Sequence, residues 1–188
     1  MGNAVCKGKT PKLPKKRTPC VMLVGGSGCG KSALAQQLVY HEFPTDHQPT
    51  IVDGYEKHFV LDDFAARISI VDCGGSDEYV KEINKYVEQA SGLIFVVDVT
   101  NPDSLDAVNS KYTGLLALRP DVANLPKAVV ATKTDSVDRV VSQPDITALA
   151  AHWSCPHVET SAQSYDDVEA AFRVLVAKLV PEAAPDGP

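Results

Sequence analysis

The sequence has no C-x-x-C pair, no apolar run long enough to span a bilayer, no secretory leader and no internal repeat, and each absence closes off a class of protein. The five cysteines, Cys6, Cys20, Cys29, Cys73 and Cys155, are odd in number and unpaired in spacing. Neither a zinc site nor a disulfide framework is therefore expected, and a reducing cytosolic setting is the simpler reading. The longest apolar run, GLIFVV at 92–97, is cut by Asp98 and falls far short of the roughly 20 residues that cross a membrane. No secretory h-region is found at the start, and the chain ends in PDGP without a terminal cysteine, so a C-terminal prenyl anchor is not expected. Acids are missing from the first 19 residues, which hold Lys7, Lys9, Lys12, Lys15, Lys16 and Arg17. With six positive charges there and a net charge of −6, the rest of the chain stands at −12. Such an acidic body argues against a broad nucleic-acid surface, which needs clustered basic residues on one face, whereas the basic segment suits anionic lipid.

What is present fits one globular domain: 188 residues with 44% apolar composition. Residues 1–19 combine three prolines with the basic cluster and little apolar content, and read as a disordered arm. The domain is expected over 20–181, with 182–188 as a flexible tail. Strand-like and helix-like segments alternate within it. CVMLVGG precedes a helix predicted from Lys31 to about Tyr40. DGYEKHFVL and AARISIVD, joined by the short link Asp62-Asp63-Phe64, predict an antiparallel hairpin. Val80, Ile83, Val87 and Ala90 recur at helical spacing. Strand GLIFVVDV, a helix opening near Ser104, strand KAVVATK, a helix from about Asp145 to His152, strand HVETS and a last helix with Val168, Phe172, Leu175 and Leu179 on one face complete the series. This alternation predicts an α/β fold: a six-stranded, mostly parallel sheet with one antiparallel strand and helices on both faces, with ligands at the carboxyl ends of the strands.

One motif lies at such an end. Gly25-Gly26-Ser27-Gly28-Cys29-Gly30-Lys31-Ser32 matches G-x-x-x-x-G-K-[ST] between a strand and a helix. Glycines let successive backbone N–H groups wrap phosphates, Lys31 adds a point charge to the β and γ groups, and the Ser32 hydroxyl suits Mg²⁺ at a helix N-terminus. The bland alternative is an ordinary Gly-rich strand-to-helix turn. A phosphate cradle does not choose between ATP and GTP, so an ATPase or kinase stays open on this motif alone.

IVDCGG at 70–75, TKTD at 132–135 and TSA at 160–162 follow in order, each at or next to a strand end, and with the first motif they make residues 20 to about 180 resemble the Ras-like small GTPase superfamily. The resemblance implies a P-loop GTPase domain that binds GTP and GDP with Mg²⁺. Gly25, Ser27, Gly28, Cys29, Gly30, Lys31, Ser32 and Ala33 would cradle the phosphates. Asp135 would accept hydrogen bonds from guanine N1 and N2, donors that adenine lacks; Lys133 would pack along the base; and the Ala162 N–H, beside Ser161, would face guanine O6. Thr132 stands where many members carry asparagine, and Gln163 replaces the usual lysine. Phe43 matches the aromatic ring set edge-on to the base, although a phenylalanine near a helix end otherwise belongs to a core. Thr50 matches the switch threonine that completes the Mg²⁺ shell, Asp72 the residue that holds Mg²⁺ through water, and the Gly75 N–H the group that meets the γ-phosphate. Taken alone, Asp72 would be a turn former and TKTD a strand-end loop. Ile51, Asp53 and Tyr55 are similar to the effector segment while Val52 and Gly54 depart from it, and His47 replaces a tyrosine that often lids the nucleotide.

Ser76 follows the Asp-x-x-Gly motif where most members carry the glutamine that orients attacking water. The resemblance therefore implies a molecular switch with slow intrinsic hydrolysis, with Lys31, the Gly75 N–H and the departure at Ser76 as the catalytic positions; the alternative is a GTP-retaining scaffold with little turnover. Effector, exchange and GTPase-activating proteins are its expected partners. In the arm, Gly2 opens an imperfect myristoylation motif with cysteine at the sixth position, and Cys6 offers a palmitoylation site. With the basic cluster they predict a cytoplasmic protein held at a membrane by several weak anchors. An unmodified, solvated arm is the alternative.

Overall fold

The computed structural model describes residues 18–44, 50–61, 64–75 and 80–180. Six strands form one sheet: β1 (Cys20–Val24), β2 (Val52–Leu61), β3 (Phe64–Cys73), β4 (Gly92–Asp98), β5 (Lys127–Thr132) and β6 (His157–Glu159). Their order is β2-β3-β1-β4-β5-β6. All neighbouring pairs are parallel except β2 with β3, which pair antiparallel from Val52–Cys73 to Leu61–Phe64. This is the expected Ras-type arrangement, with a single antiparallel strand at one edge.

Among the described residues five α-helices cover the sheet: α1 (Lys31–Tyr40), α2 (Val80–Val87), α3 (Ser104–Leu118), α4 (Gln143–His152) and α5 (Tyr165–Leu179). Successive strand side chains point to opposite faces, and β1 shows the result. Val21 and Leu23 join Leu34, Leu38, Phe172 and Leu175 of α1 and α5 on one face. Met22 and Val24 join Val108, Leu115, Ile146 and Trp153 on the other. Strand β4 is buried along all seven residues, as a central parallel strand covered on both faces must be. The predicted apolar face of α5 is real: Val168, Phe172 and Leu175 are fully buried and Leu179 packs against the same cluster. The edge hairpin is tied to this layer by Arg173, whose guanidinium donates to the Val60 carbonyl at 2.8 Å.

Several details differ from the sequence reading: Phe64, expected in the link, opens β3; α2 stops at Val87, before Ala90; and β6 stops at Glu159, short of the Thr160-Ser161 that HVETS included. Helix α4 begins two residues before Asp145, because Ser142 caps it through the Asp145 N–H and Pro144 sits in the first turn, where its missing N–H costs nothing. A 3₁₀ turn over Pro120–Asn124 follows α3. Among the described residues no helix is long and apolar enough to cross a membrane.

The carboxyl ends of β1, β3, β4, β5 and β6 all open toward one side of the sheet, and β2 starts there because it runs the other way. The phosphate-loop motif, IVDCGG, TKTD and TSA each sit at or just after one of these ends.

Candidate nucleotide-binding site

The loop after β1 turns directly into α1. Gly28 (φ 70°) and Gly30 (φ 98°) both occupy the left-handed region, which glycine enters without the Cβ clash other residues suffer. Gly30 is the N-cap of α1, and its carbonyl accepts the Leu34 N–H at 2.9 Å. The loop is thus held open by backbone conformation, with N–H groups at a helix N-terminus where an anion is favoured. Lys31 is only 5% exposed; its ammonium donates to the Gly25 and Gly26 carbonyls at 3.1 and 2.6 Å and lies 3.6 Å from the Cys29 Sγ. Burial pushes the Cys29 thiol up while Lys31 pulls it back, so it stays protonated and packs as a small apolar group.

Asp72, at the end of β3, is completely buried, and neither of its carboxylate oxygens has a hydrogen-bond partner among the described residues. Burial raises its pKa, with the neighbouring Ser32 hydroxyl and the Lys31 charge acting in the opposite direction. Asp53, its partner in the β2–β3 ladder, raises it further. The Ser32 and Thr50 hydroxyls lie 3.1 Å apart. An orphaned buried carboxylate with two hydroxyls is a hard-oxygen donor set that fits Mg²⁺, an ion that keeps several waters and takes few protein ligands. Gly75 presses against the phosphate loop: a Cβ there would lie 2.2 Å from the Ser27 nitrogen and 2.4 Å from the Gly26 carbonyl carbon, a closeness only glycine permits. Gly74 donates its N–H to the Ile51 carbonyl at 2.9 Å, which carries the β2–β3 ladder on toward Thr50.

At the other end the loop after β5 takes over. The Thr132 hydroxyl, buried, donates to the Cys29 carbonyl at 2.7 Å with the Val97 carbonyl at 3.2 Å, so it ties the phosphate loop to β4 and β5. Lys133 adopts φ 61° and its ammonium lies 2.6 Å from the Asp98 carboxylate. Burial acts most strongly on Asp98 and would raise its pKa. Lys133 together with the hydroxyl and N–H of Thr100 outweighs that, and the carboxyl is held below its ordinary value. Asp135 is exposed and accepts the Gln163 Nε2–H at 3.0 Å. Ser161 and Ala162 are buried in the loop after β6.

These parts surround a cavity of about 920 Å³, a size suited to a nucleotide. Gly28, Gly30, Lys31, Ser32, Ala33, Phe43, Thr50, Thr132, Lys133, Asp135, Ser161 and Ala162 all line it, and Phe43 is half exposed rather than in a core. Cys29 and Asp72, both buried, do not line it, nor do Gly25, Ser27 and Gly75. Sequence reasoning passed over Gln36, Pro44, Thr100, Ser136 and Asp138, which line it too. The Asp98-x-Thr100 turn was a local signal for Thr100; the others had none. Ser76, His47, Gly2 and Cys6 lie outside the described residues.

A Gly-rich loop running from strand to helix, a buried lysine and a partnerless carboxylate at the carboxyl edge of a parallel sheet define a P-loop nucleotide-binding protein. Comparison with known proteins makes the class specific. The sequence profile described as the Ras family matches residues 20–181. The chain is 34% identical over 160 residues to the "Ras-like protein RAS2" of Hydra vulgaris, an alignment that covers 85% of this chain and 83% of that protein. The chain belongs to the Ras family, and is by that membership a GTP-binding GTPase of the signalling-switch kind.

Proposed function

We propose that this protein is a GTP/GDP switch that needs Mg²⁺ and hydrolyses GTP slowly without help. The observation behind this reading is the cavity itself, which sets Lys31 and the phosphate loop at one end and Asp135 with Ala162 at the other. Lys31 would exchange its loop carbonyls for the β and γ phosphates. Asp135 would accept from guanine N1 and N2, and the Ala162 N–H would meet O6. Ser32 and Thr50 would hold Mg²⁺, with Asp72 bound through water; the ion, when bound, supplies neutralisation of phosphate charge. The Gly75 N–H would orient the γ-phosphate. Switching then consists of ordering the Thr50 and Gly75 segments when that phosphate is present.

Slow turnover follows from Ser76. Its hydroxyl is too short to orient water from the backbone position that a glutamine uses, so binding is kept and the chemical step is weakened. The GTP-retaining scaffold is the limiting case of the same defect, and a GTPase-activating protein that supplies a polar group in trans would restore cycling. Exchange factors and effectors are the remaining protein partners, with no role for nucleic acid.

The guanine reading is checked with Asp135→Asn. Losing the charged acceptor should cost about 1.5 to 3 kcal/mol, roughly ten- to a hundredfold in GTP and GDP affinity, and should relax base preference. Equal affinity of the unmodified protein for ATP and GTP defeats it. For localisation, a cytoplasmic protein attached to membrane through Gly2, Cys6 and the basic arm is the reading favoured by sequence, since one acyl chain alone binds only marginally. Gly2→Ala should move the protein to the soluble fraction; a native protein that is unacylated by mass and already soluble excludes the anchor.

A further inference from the structure

Gln163 stands where a lysine is usual in the family the chain resembles, and its contacts are well defined. Its backbone is fixed from both sides: the Gln163 N–H donates to the Ser161 Oγ at 3.2 Å, and the buried Gln37 of α1 donates its Nε2–H to the Gln163 carbonyl at 3.2 Å. From that fixed point the side chain reaches across 28 positions of sequence to donate to Asp135 Oδ2 at 3.0 Å. The nearest cation in the motif does not compete, because Lys133 is engaged with Asp98.

We infer that Gln163 is a positioning residue for Asp135, and that it sets how sharply the site distinguishes bases with a 2-amino group from those without. The inference rests on the guanine-nucleotide reading above. A carboxylate has about four lone-pair sites, so Oδ2 can accept from Gln163 and still accept from a base. The amide therefore fixes the rotation of the carboxylate without occupying it fully. It also does so without a positive charge, which leaves the whole anionic acceptor for the ligand. Guanine needs both carboxylate oxygens in the plane of its N1–H and N2–H donors. Hypoxanthine, which has N1–H but no 2-amino group, uses one acceptor and tolerates a rotated carboxylate. Fixing the rotation thus favours guanine over hypoxanthine, whereas a merely structural role of Gln163 would support both alike.

The test is the affinity of the full chain, with Mg²⁺, for guanosine, inosine and adenosine diphosphates, in the unmodified protein and in Gln163→Ala and Gln163→Lys. In Gln163→Ala the ratio of guanosine to inosine diphosphate affinity should fall about three- to tenfold, the worth of one net hydrogen bond, by loss on the guanosine side. Gln163→Lys keeps a donor and should hold the native ratio. An unchanged ratio in Gln163→Ala, or a ratio lost equally in Gln163→Lys at native melting temperature, overturns the inference. If guanosine is still preferred to adenosine diphosphate in those cases, only the role of Gln163 fails. If the unmodified protein shows no such preference, the guanine reading fails and takes this inference with it.

Discussion

The two ends of the cavity are built by different means. The phosphate end is made of backbone: two left-handed glycines shape the loop, Gly75 packs on it at a distance no side chain permits, and Lys31 and Asp72 are nearly or wholly withdrawn from solvent. The base end is made of side-chain pairs: Asp135 held by Gln163, both exposed, and the half-exposed Lys133 held by the buried Asp98. Buried charges at the first end interact strongly and are costly when unpaired; at the second, the exposed Asp135–Gln163 pair acts mainly by orientation, and the Asp98 carboxylate is already neutralised by Lys133. Affinity for any nucleotide should therefore come mostly from the first end, and choice of base from the second.

Lys31→Met gives the sharpest test of that division. It keeps the apolar stem and removes the ammonium, so GTP and GDP affinity should fall by about 3 kcal/mol, on the order of a hundredfold, in a titration with fluorescent nucleotide. The preference for guanine over adenine should be unchanged. A shift in preference of similar size would mean that the ends are not separable. Next in size is the catalytic defect proposed for Ser76. Ser76→Gln should raise single-turnover GTP hydrolysis at saturating nucleotide by roughly five- to 150-fold, the value of one transition-state hydrogen bond of about 1 to 3 kcal/mol, and should leave affinity alone. A native rate equal to that of the variant would show that another group already orients the water.

The same division decides what the sequence made legible. The phosphate end is written locally: β1, the loop and α1 are contiguous from Cys20 to Tyr40, and backbone chemistry alone requires glycine and lysine at those spacings. The β2–β3 hairpin was readable for a similar reason, since a short link between two β-rich runs leaves few other pairings. The base end depends on pairs that no local pattern announces. Lys133 meets Asp98 across 35 positions and Gln163 meets Asp135 across 28, contacts fixed by the register of β4, β5 and β6. The 3₁₀ turn after α3 has the same kind of cause. Arg119 donates to the Val87 and Ala90 carbonyls at 2.7 and 3.0 Å and so sets the direction of the chain from outside the segment. In the base motif the sequence nominates the residues proposed to read the base; how they are oriented is a property of the assembled sheet.

Asp72 provides the smallest and most counter-intuitive effect, because a buried carboxylate with the proposed role of holding Mg²⁺ is a liability when no ion is bound. Its carboxylate is buried, has no hydrogen-bond partner among the described residues and pairs with Asp53 across the ladder, so the charged form opposes folding. Asp72→Asn removes the charge and leaves a polar amide in the same place, which should stabilise the nucleotide- and metal-free protein by about 1 kcal/mol rather than by the full cost of a buried ion. The sign with pH follows from linkage. The folded-state pKa is raised, so between the ordinary carboxylate value and the raised one the native state binds more protons than the unfolded chain, and native stability falls as pH rises through that window. The advantage of the asparagine variant should thus be absent at acid pH, where both side chains are neutral, and reach its full size above the raised value. Adding Mg²⁺ and GDP should reverse the order, since only the native carboxylate gains the ion. Thermal melting of the two proteins over a pH series, with and without Mg²⁺ and GDP, checks each step. A variant less stable than the native protein in the metal-free series would show that Asp72 has a partner in solution, and that the phosphate end is satisfied before any ligand arrives.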